Sequence, residues 1–350
     1  MKLIEDNFIK NSPFQSIRLI HLVNKNGLSV DLTNYGARIV SLCVPSKNGE
    51  LTDVVLGFDT LDKYLNAKEK YHGCIIGRYA NRIAEGKFSI EGQHYTLAEN
   101  VPHANLHGGV NGWHQKVWNV KEVQEQKVVF SCFSPDMEEG FPGNVHVKVE
   151  YELANENSLT VRMIASIDKA CPINMTNHSY FNLSGEGSMT AMDHILRLHC
   201  TKFTPVDENV IPTGEMSNVH NSPFDFTSPK ALEKDINNNN DQLKIGNGYD
   251  HNFIIDGYEG SFKKAAKIYS PISNISMTIL TTQPGIQLYT ANWLDGSDIG
   301  KSGINYGKRS AFCLETQHFP NSPNEANFPD CIVLKDQIYN EQIMYIFDVH

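Results

Sequence analysis

Several things are missing from this 350-residue sequence, and each absence removes a class of function. No apolar run is long enough to span a bilayer, and charged residues and asparagine interrupt every apolar stretch of the amino-terminal MKLIEDNFIKNSPF. A secretory core is therefore not expected there, and the whole chain is read as the mature protein, in the cytoplasm. Blocks of like charge are also missing. Thirty Lys and Arg stand against forty Asp and Glu, a net charge of −10 with both signs dispersed, so neither nucleic acid nor an anionic membrane is an expected partner. The seven cysteines (Cys43, Cys74, Cys132, Cys171, Cys200, Cys313, Cys331) are odd in number and never form Cys-x-x-Cys, which argues for reduced, buried thiols rather than a disulfide framework. Three Asn-x-Ser/Thr triplets, at Asn174, Asn177 and Asn182, carry no meaning without a secretory route. Gly185 and Gly187 open a Gly-x-Gly, but position 190 is Thr and no βαβ unit follows. A Walker-type loop and a Gly-x-Ser-x-Gly elbow are both absent.

Helical periodicity is scarce, and no internal repeat is visible. What recurs is short alternating or apolar runs rich in Val, Ile, Thr, Phe and Tyr, broken by Gly, Asn and Pro. They include GLSVDLTNYG, KVWNVKEV, KVVFSCF, NVHVKVEYEL, SLTVRMIASI, HILRLHC, NISMTILTT, GIQLYTANW and SAFCLET. Such spacing predicts an all-β fold, a large antiparallel sandwich or barrel. Two short helices are expected, FDTLDKYLNAKE near residue 60 and SPKALEKDI near residue 230, the latter opened by Ser-Pro. The polar run Asn237 to Asp241 reads as an exposed loop, not a linker, because composition does not shift beyond it. One domain over residues 1–350 is expected.

Three stretches hold residues suited to chemistry. In INMTNHSYFNL, residues 173–183, a strand reading places Asn174, Thr176, His178, Tyr180 and Asn182 on one face. Five hydrogen-bonding side chains with no Lys, Glu or Arg among them suit the floor of a cleft for a polar, uncharged ligand. An internal hydrogen-bond network would need the same residues. In AFCLETQHFP, residues 311–320, alternation puts Ala311, Cys313 and Glu315 together and Phe312 and Leu314 opposite. A carboxylate ending a small, apolar face is costly unless paired or used, and burial moves its pKa up toward the general acid–base range. Pairing with an arginine is the structural alternative.

The third stretch is GRYANRIAEG, residues 77–86, with HANLHGG, residues 103–109. Arg78, Asn81 and Arg82 lie between an apolar strand, 74–76, and a hairpin signal at Glu85-Gly86. His107 precedes two glycines, which are expected to let the backbone approach a ligand. His103 and His107 are four residues apart, but Pro102 and the paired glycines oppose a helix, so a zinc site is not expected. The inventory amounts to one imidazole, one carboxylate and several Asn, Arg and His donors on a β scaffold. That combination suits a carbohydrate site without naming a reaction.

The same stretches resemble the aldose 1-epimerase family, the galactose mutarotases. The likeness runs through NYGARIVSLCVP (34–45), DVVLGFD (53–59), GRYANRIAEGKF (77–88), NLHGG (105–109), TNHSYFNLSG (176–185), YDHNF (249–253), GIQLYTANWLDG (285–296) and CLETQHFPNSPN (313–324). The resemblance implies a galactose mutarotase-like antiparallel β supersandwich with a few short helices. It also implies an isomerase that interconverts the α and β anomers of free aldohexoses such as D-galactose and D-glucose. His178 then corresponds to the family's general acid and Glu315 to its general base. Asn81, Arg82, His107, Asp250 and Gln287 correspond to the groups that bind sugar hydroxyls. No cofactor or metal is implied, the partner is a monosaccharide, and a monomer or homodimer is expected. Two departures are small: Asn105 stands where Ser is frequent, and Ala291 where Gly is common.

Two other readings compete. Asp250 with Glu315 would supply the carboxylate pair of a glycoside hydrolase, though this leaves His178 idle. A sugar-binding module without catalysis is the non-enzymatic alternative.

Overall fold

The structure is a computed structural model describing residues 5–10, 13–14, 16–258 and 260–350; part of the amino-terminal stretch read for a leader lies outside the described residues. No described helix is long and apolar enough to cross a membrane.

Alternation builds the largest sheet. In Val145–Ala154, Val145, Val147, Val149, Tyr151 and Leu153 point inward while His146, Lys148 and Glu152 face solvent. Each such aliphatic side chain contributes about 1.5–3 kcal/mol when fully buried. This strand pairs antiparallel with Lys127–Ser134 and Ser158–Ile167. Ser158–Ile167 next pairs with the carboxy-terminal strand Ile338–Val349, and that with Ile275–Thr281. With Asn119–Val123, Lys263–Tyr269, Ile195–Leu198 and Lys230–Ala231 the sheet reaches nine strands. A four-stranded antiparallel sheet comprises Leu19–Val23, Ser29–Thr33, Arg38–Pro45 and Leu51–Asp53. Tyr151 of the large sheet donates its hydroxyl to the carbonyl of Ala37 at 2.7 Å, within one hydrophobic cluster that runs from Ile20 to Phe347.

A five-stranded sheet carries the chemistry. Its three longest strands, Asp250–Ile254, Gly285–Tyr289 and Cys313–Gln317, are buried along their whole length. The register aligns Asp250 with Tyr289 and Cys313, and Asn252 with Gln287 and Glu315. Residues opposite one another share a face. One face therefore collects Asp250, Asn252, Gln287, Tyr289, Cys313 and Glu315. The other presents Phe253, Ile286, Leu288 and Leu314 to the main core. Among the described residues no sheet closes on itself, so the sandwich rather than the barrel is the fold.

All nine quoted runs contain a strand. The helix near residue 60 is present as Leu61–Asn66, its first turn capped by Thr60. The one expected near residue 230 is not. Lys230–Ala231 joins the edge of the large sheet opposite Ile195 and Leu196, and only a 3-10 turn, Leu232–Lys234, follows. Edge pairing, together with the capture of Lys230 Nζ by Pro223 O and Asp235 (2.7 Å each), overrides the Ser-Pro start. Within the polar run, Asn240 instead caps a short helix, Asp241–Ile245, by accepting from the amides of Gln242 and Leu243. The stretch 173–183 is not one strand either: only Thr176–Asn177 is laddered, and isolated bridges hold Asn174 to Tyr79 and Phe181 to Val55 and Phe312.

Candidate active site

A cavity opens beside the polar face of the five-stranded sheet. Its walls include Glu69, Tyr71, Asn81, Arg82, Leu106, His107, His178, Tyr180, Asp250, Tyr289, Trp293 and Glu315. Six of the seven residues to which the resemblance assigns a role thus meet here: Asn81, Arg82, His107, His178, Asp250 and Glu315. Gln287, the seventh, lies one step behind the wall. Its amide donates to Asp250 Oδ1 at 2.7 Å and its carbonyl accepts from Gln317 at 3.4 Å, so it holds Asp250 in place.

His178, just after the short Thr176–Asn177 strand, and Glu315, within Cys313–Gln317, approach closely. His178 Nε2 lies 3.5 Å from Glu315 Oε2, and the two are 4% and 2% exposed. The other ring nitrogen, Nδ1, is 3.7 Å from Cys313 Sγ, on the same strand face as Glu315. The arginine pairing considered for Glu315 is not its close contact. Arg82 acts on it only through space, lowering its pKa, while burial first and then the charges of Asp250 and Glu69 raise it well above the carboxylate range. Burial pushes His178 the other way, down to about 3. Both shifts disfavour charge in a dry site.

The segment from Gly77 to His107 supplies the donors, and the backbone dictates which side chains face inward. Arg78 turns away and is consumed by structure: it donates to Ser134 Oγ and to the carbonyls of Ser134, Pro135, Phe141 and Pro142. Asn81 and Arg82 face the cavity. The backbone N–H of Asn81 donates to Nδ1 of His107 at 3.1 Å, leaving the imidazole proton on Nε2 as a hydrogen-bond donor. Gly108 and Gly109 are not part of the cavity lining. A Cβ on Gly108 would lie 2.2 Å from Gly77 O, and one on Gly109 2.2 Å from the Glu139 carboxylate, so these glycines let the chain pack against itself and seat His107.

His107, His178 and Glu315 offer donor atoms within 4.8 Å of one another, a spacing compatible with a metal ion. The Asn81 amide occupies the Nδ1 lone pair of His107, and binding a metal through Nε2 would move the proton to Nδ1 and break that bond. The donor set does not suit a resident metal. His103, the other half of the four-residue spacing, is exposed and pairs with Glu85 instead.

Of the polar row from Asn174 to Asn182, both readings hold in part. His178 and Tyr180 line the cavity. Asn174 is spent on Ala80 O and on the backbone of His318, and Asn182 on the carbonyls of Ser188, Thr190 and Ser310.

The chain matches the family described as Aldose 1-epimerase over residues 18–345. The chain belongs to the aldose 1-epimerase family. It is 42% identical to a galactose mutarotase from Bos taurus over 322 residues, 92% of each chain. It is 33% identical to an aldose 1-epimerase from Escherichia coli K12 over 335 residues, 95% of this chain and 96% of that one. Among solved structures, an aldose epimerase homologue from C. elegans superposes with a TM-score of 0.87 at 32% identity, covering 95% of this chain and 99% of the other. A galactose 1-epimerase from Lactobacillus acidophilus gives 0.83 at 26% identity, covering 95% of each. An aldose 1-epimerase chain with a galactose mutarotase-like fold is thus an enzyme of carbohydrate isomerisation.

Sequence reasoning passed over Glu69, Tyr71, Leu106, Tyr289 and Trp293 as wall residues. Tyr289 and Trp293 follow from GIQLYTANW once its polar face is known. Ala291, the departure noted there, sits at φ 49°, a left-handed conformation that favours glycine. Glu69 and Tyr71 lie on an irregular connection with no periodicity to expose them.

Proposed function

We propose that the protein interconverts the anomers of free aldohexoses such as D-galactose and D-glucose, with Glu315 as general base and His178 as general acid. What carries this reading is the 3.5 Å approach of His178 Nε2 to Glu315 Oε2 at a cavity whose wall also holds Asn81, Arg82, His107 and Asp250. Anomer exchange needs a base and an acid at one carbon. Glu315 takes the proton of the C1 hydroxyl, the electrons form the C1 carbonyl, the C1–O5 bond breaks, and His178 protonates O5. Rotation about C1–C2 and closure on the opposite face return both protons. The number of protons held by the pair is the same before and after, so no net transfer to solvent is required. Burial opposes the charged pair in the empty site, and the reacting oxygens are what the two groups hydrogen-bond to when sugar enters. His107, through its Nε2 proton, together with Asn81, Arg82 and Asp250, orients the sugar hydroxyls, and Gln287 keeps Asp250 aimed.

The cavity wall contains one arginine and three carboxylates, Glu69, Asp250 and Glu315, which favours neutral sugars over phosphorylated ones. Seven buried, unpaired cysteines fit a cytoplasmic setting. A single domain over residues 1–350 is supported by the hydrophobic cluster drawn from both ends of the chain.

Polarimetry of freshly dissolved α-D-galactose and α-D-glucose tests the activity. Catalytic amounts of protein should speed the approach to an unchanged equilibrium rotation. Glu315→Gln and His178→Asn should each cost about 10²-fold or more in turnover, the usual share of a positioned acid or base, with sugar binding largely kept. Wild-type turnover in either variant would refute that role, and release of reducing ends from a glycoside would favour a hydrolase.

A further inference from the structure

We infer that Glu69 is a specificity-determining residue whose carboxylate accepts a hydrogen bond from one hydroxyl of the bound aldose; this rests on the mutarotase reading of the cavity. Glu69 stands on the connection between the Leu61–Asn66 helix and the Ile75–Ile76 strand, and it forms part of the cavity wall. It is the third carboxylate there, and the anomeric chemistry uses only Glu315, with Asp250 already held by Gln287.

The connection is fixed in place. The amides of Lys68 and Glu69 both donate to the Asp298 carboxylate, at 2.9 Å each, and Lys68 Nζ reaches Asp295 Oδ2. Asp295 and Asp298 belong to the loop that starts at Trp293, another wall residue. Two rim segments are thereby clamped together, Glu69 on one and the largely exposed Trp293 on the other, both bordering the cavity.

The carboxylate of Glu69 has spare capacity. Oε1 accepts from the Tyr71 backbone amide at 3.0 Å, and the Tyr180 hydroxyl stabilises the charged form against the rise in pKa that burial imposes. An ionised carboxylate offers about four acceptor sites, so roughly two remain for a ligand. Tyr180 in turn stacks on His178, with ring centroids 5.0 Å apart. Tyr180 thus links Glu69 to the proposed acid, and Glu69, His178 and Glu315 line one cavity, so a sugar with C1 between His178 and Glu315 shares that cavity with the Glu69 carboxylate. A carboxylate there accepts a hydroxyl and repels a phosphate or uronate group, so it selects as well as binds.

The experiment compares wild type with Glu69→Gln on D-galactose, D-glucose and their monodeoxy analogues, one hydroxyl missing at a time. Binding is read by tryptophan fluorescence titration, which does not depend on turnover, and KM and kcat by polarimetry. Glu69→Gln should weaken binding and raise KM about tenfold for the parent sugar, as expected for losing a bond to a charged acceptor, with kcat within about threefold. One deoxy sugar should bind wild type and variant equally, because it lacks the contacted hydroxyl. An equal loss across every analogue, unchanged binding of the parent, or a fall in kcat with a displaced pH profile would overturn the assignment. Failure of wild type to speed mutarotation of any sugar would refute the activity reading, while the deoxy series read by binding would still decide the role of Glu69.

Discussion

At the scale of single residues, burial decides which titratable groups stay neutral. Four imidazoles, His72, His107, His114 and His178, gather around Tyr71 and Tyr180, and burial depresses all four. His72 is outside the cavity wall and has no hydrogen-bond partner for either ring nitrogen. It is packed instead against Tyr180, Phe58 and Tyr306, at 4.5, 5.3 and 5.4 Å between centroids. An unsatisfied buried polar group costs about 1–3 kcal/mol. His72→Phe is therefore expected to stabilise the fold by about 1 kcal/mol and leave mutarotation intact. The pH dependence follows from the same group. Its folded pKa lies well below the ordinary 6.5, so the unfolded chain binds the extra proton first. The stability it confers is fully present above pH 6.5 and drains away as pH falls toward the folded value. Melting temperature measured from pH 7.5 to 4.5 should fall less steeply for His72→Phe than for wild type; an unchanged slope would contradict this account.

At the scale of elements, the rim loop after Trp293 is held by a buried cation. Lys301 Nζ donates to Val40 O at 2.6 Å and Val55 O at 2.9 Å and pairs with Asp53 Oδ2 at 2.8 Å. Close by, Glu186 accepts from the amides of Lys301 and Ser302 and from the hydroxyl of Tyr306. The Tyr306 hydroxyl oxygen also accepts from the Gly57 amide at 3.0 Å, tying the loop to the connection before the Leu61–Asn66 helix. Lys301→Ala strands two carbonyls and a carboxylate, and breaking such a buried pair costs about 3–5 kcal/mol. Urea denaturation should register that loss as a lower midpoint with an unchanged slope. A loss under 1 kcal/mol would mean that water replaces the ammonium without cost.

At the scale of the whole molecule, the carboxy-terminal strand is the seam. Ile338–Val349 lies between Ser158–Ile167 and Ile275–Thr281 and so joins the first half of the large sheet to the second. Its inward residues Tyr339, Ile343, Tyr345 and Phe347 belong to the main hydrophobic cluster. Unfolding should accordingly be one cooperative transition in calorimetry, with van't Hoff and calorimetric enthalpies in agreement. Truncation after Gln337 should abolish that transition, whereas two resolved transitions in the full chain would divide the molecule into separate units.

Legibility in the sequence follows the range of the interactions. The alternation of NVHVKVEYEL is local, and it reappears intact as the inside and outside of Val145–Ala154. The sidedness of Ala311, Cys313 and Glu315 is local too, and the burial of Glu315 follows from it. SPKALEKDI carried a helix start signal, but its outcome depended on Ile195 and Leu196, more than thirty positions earlier in the chain, offering an open sheet edge. Arg78 and Arg82 look equivalent in GRYANR; only the carbonyls of Ser134 to Pro142 reveal that Arg78 is structural. Glu69 carries no local mark at all.

By itself, then, the sequence determined the strand-rich class, the two faces of the strands and, through its resemblance, the family and a set of candidate groups. Periodicity and side-chain chemistry are properties of neighbours in the chain, which is why these were readable. Tertiary structure alone decided that His178 and Glu315 lie 3.5 Å apart, that Gln287 supports Asp250, and that Glu69 reaches the same cavity. Those outcomes depend on strand register and loop clamping between distant segments, where a shift of one residue reverses every side chain.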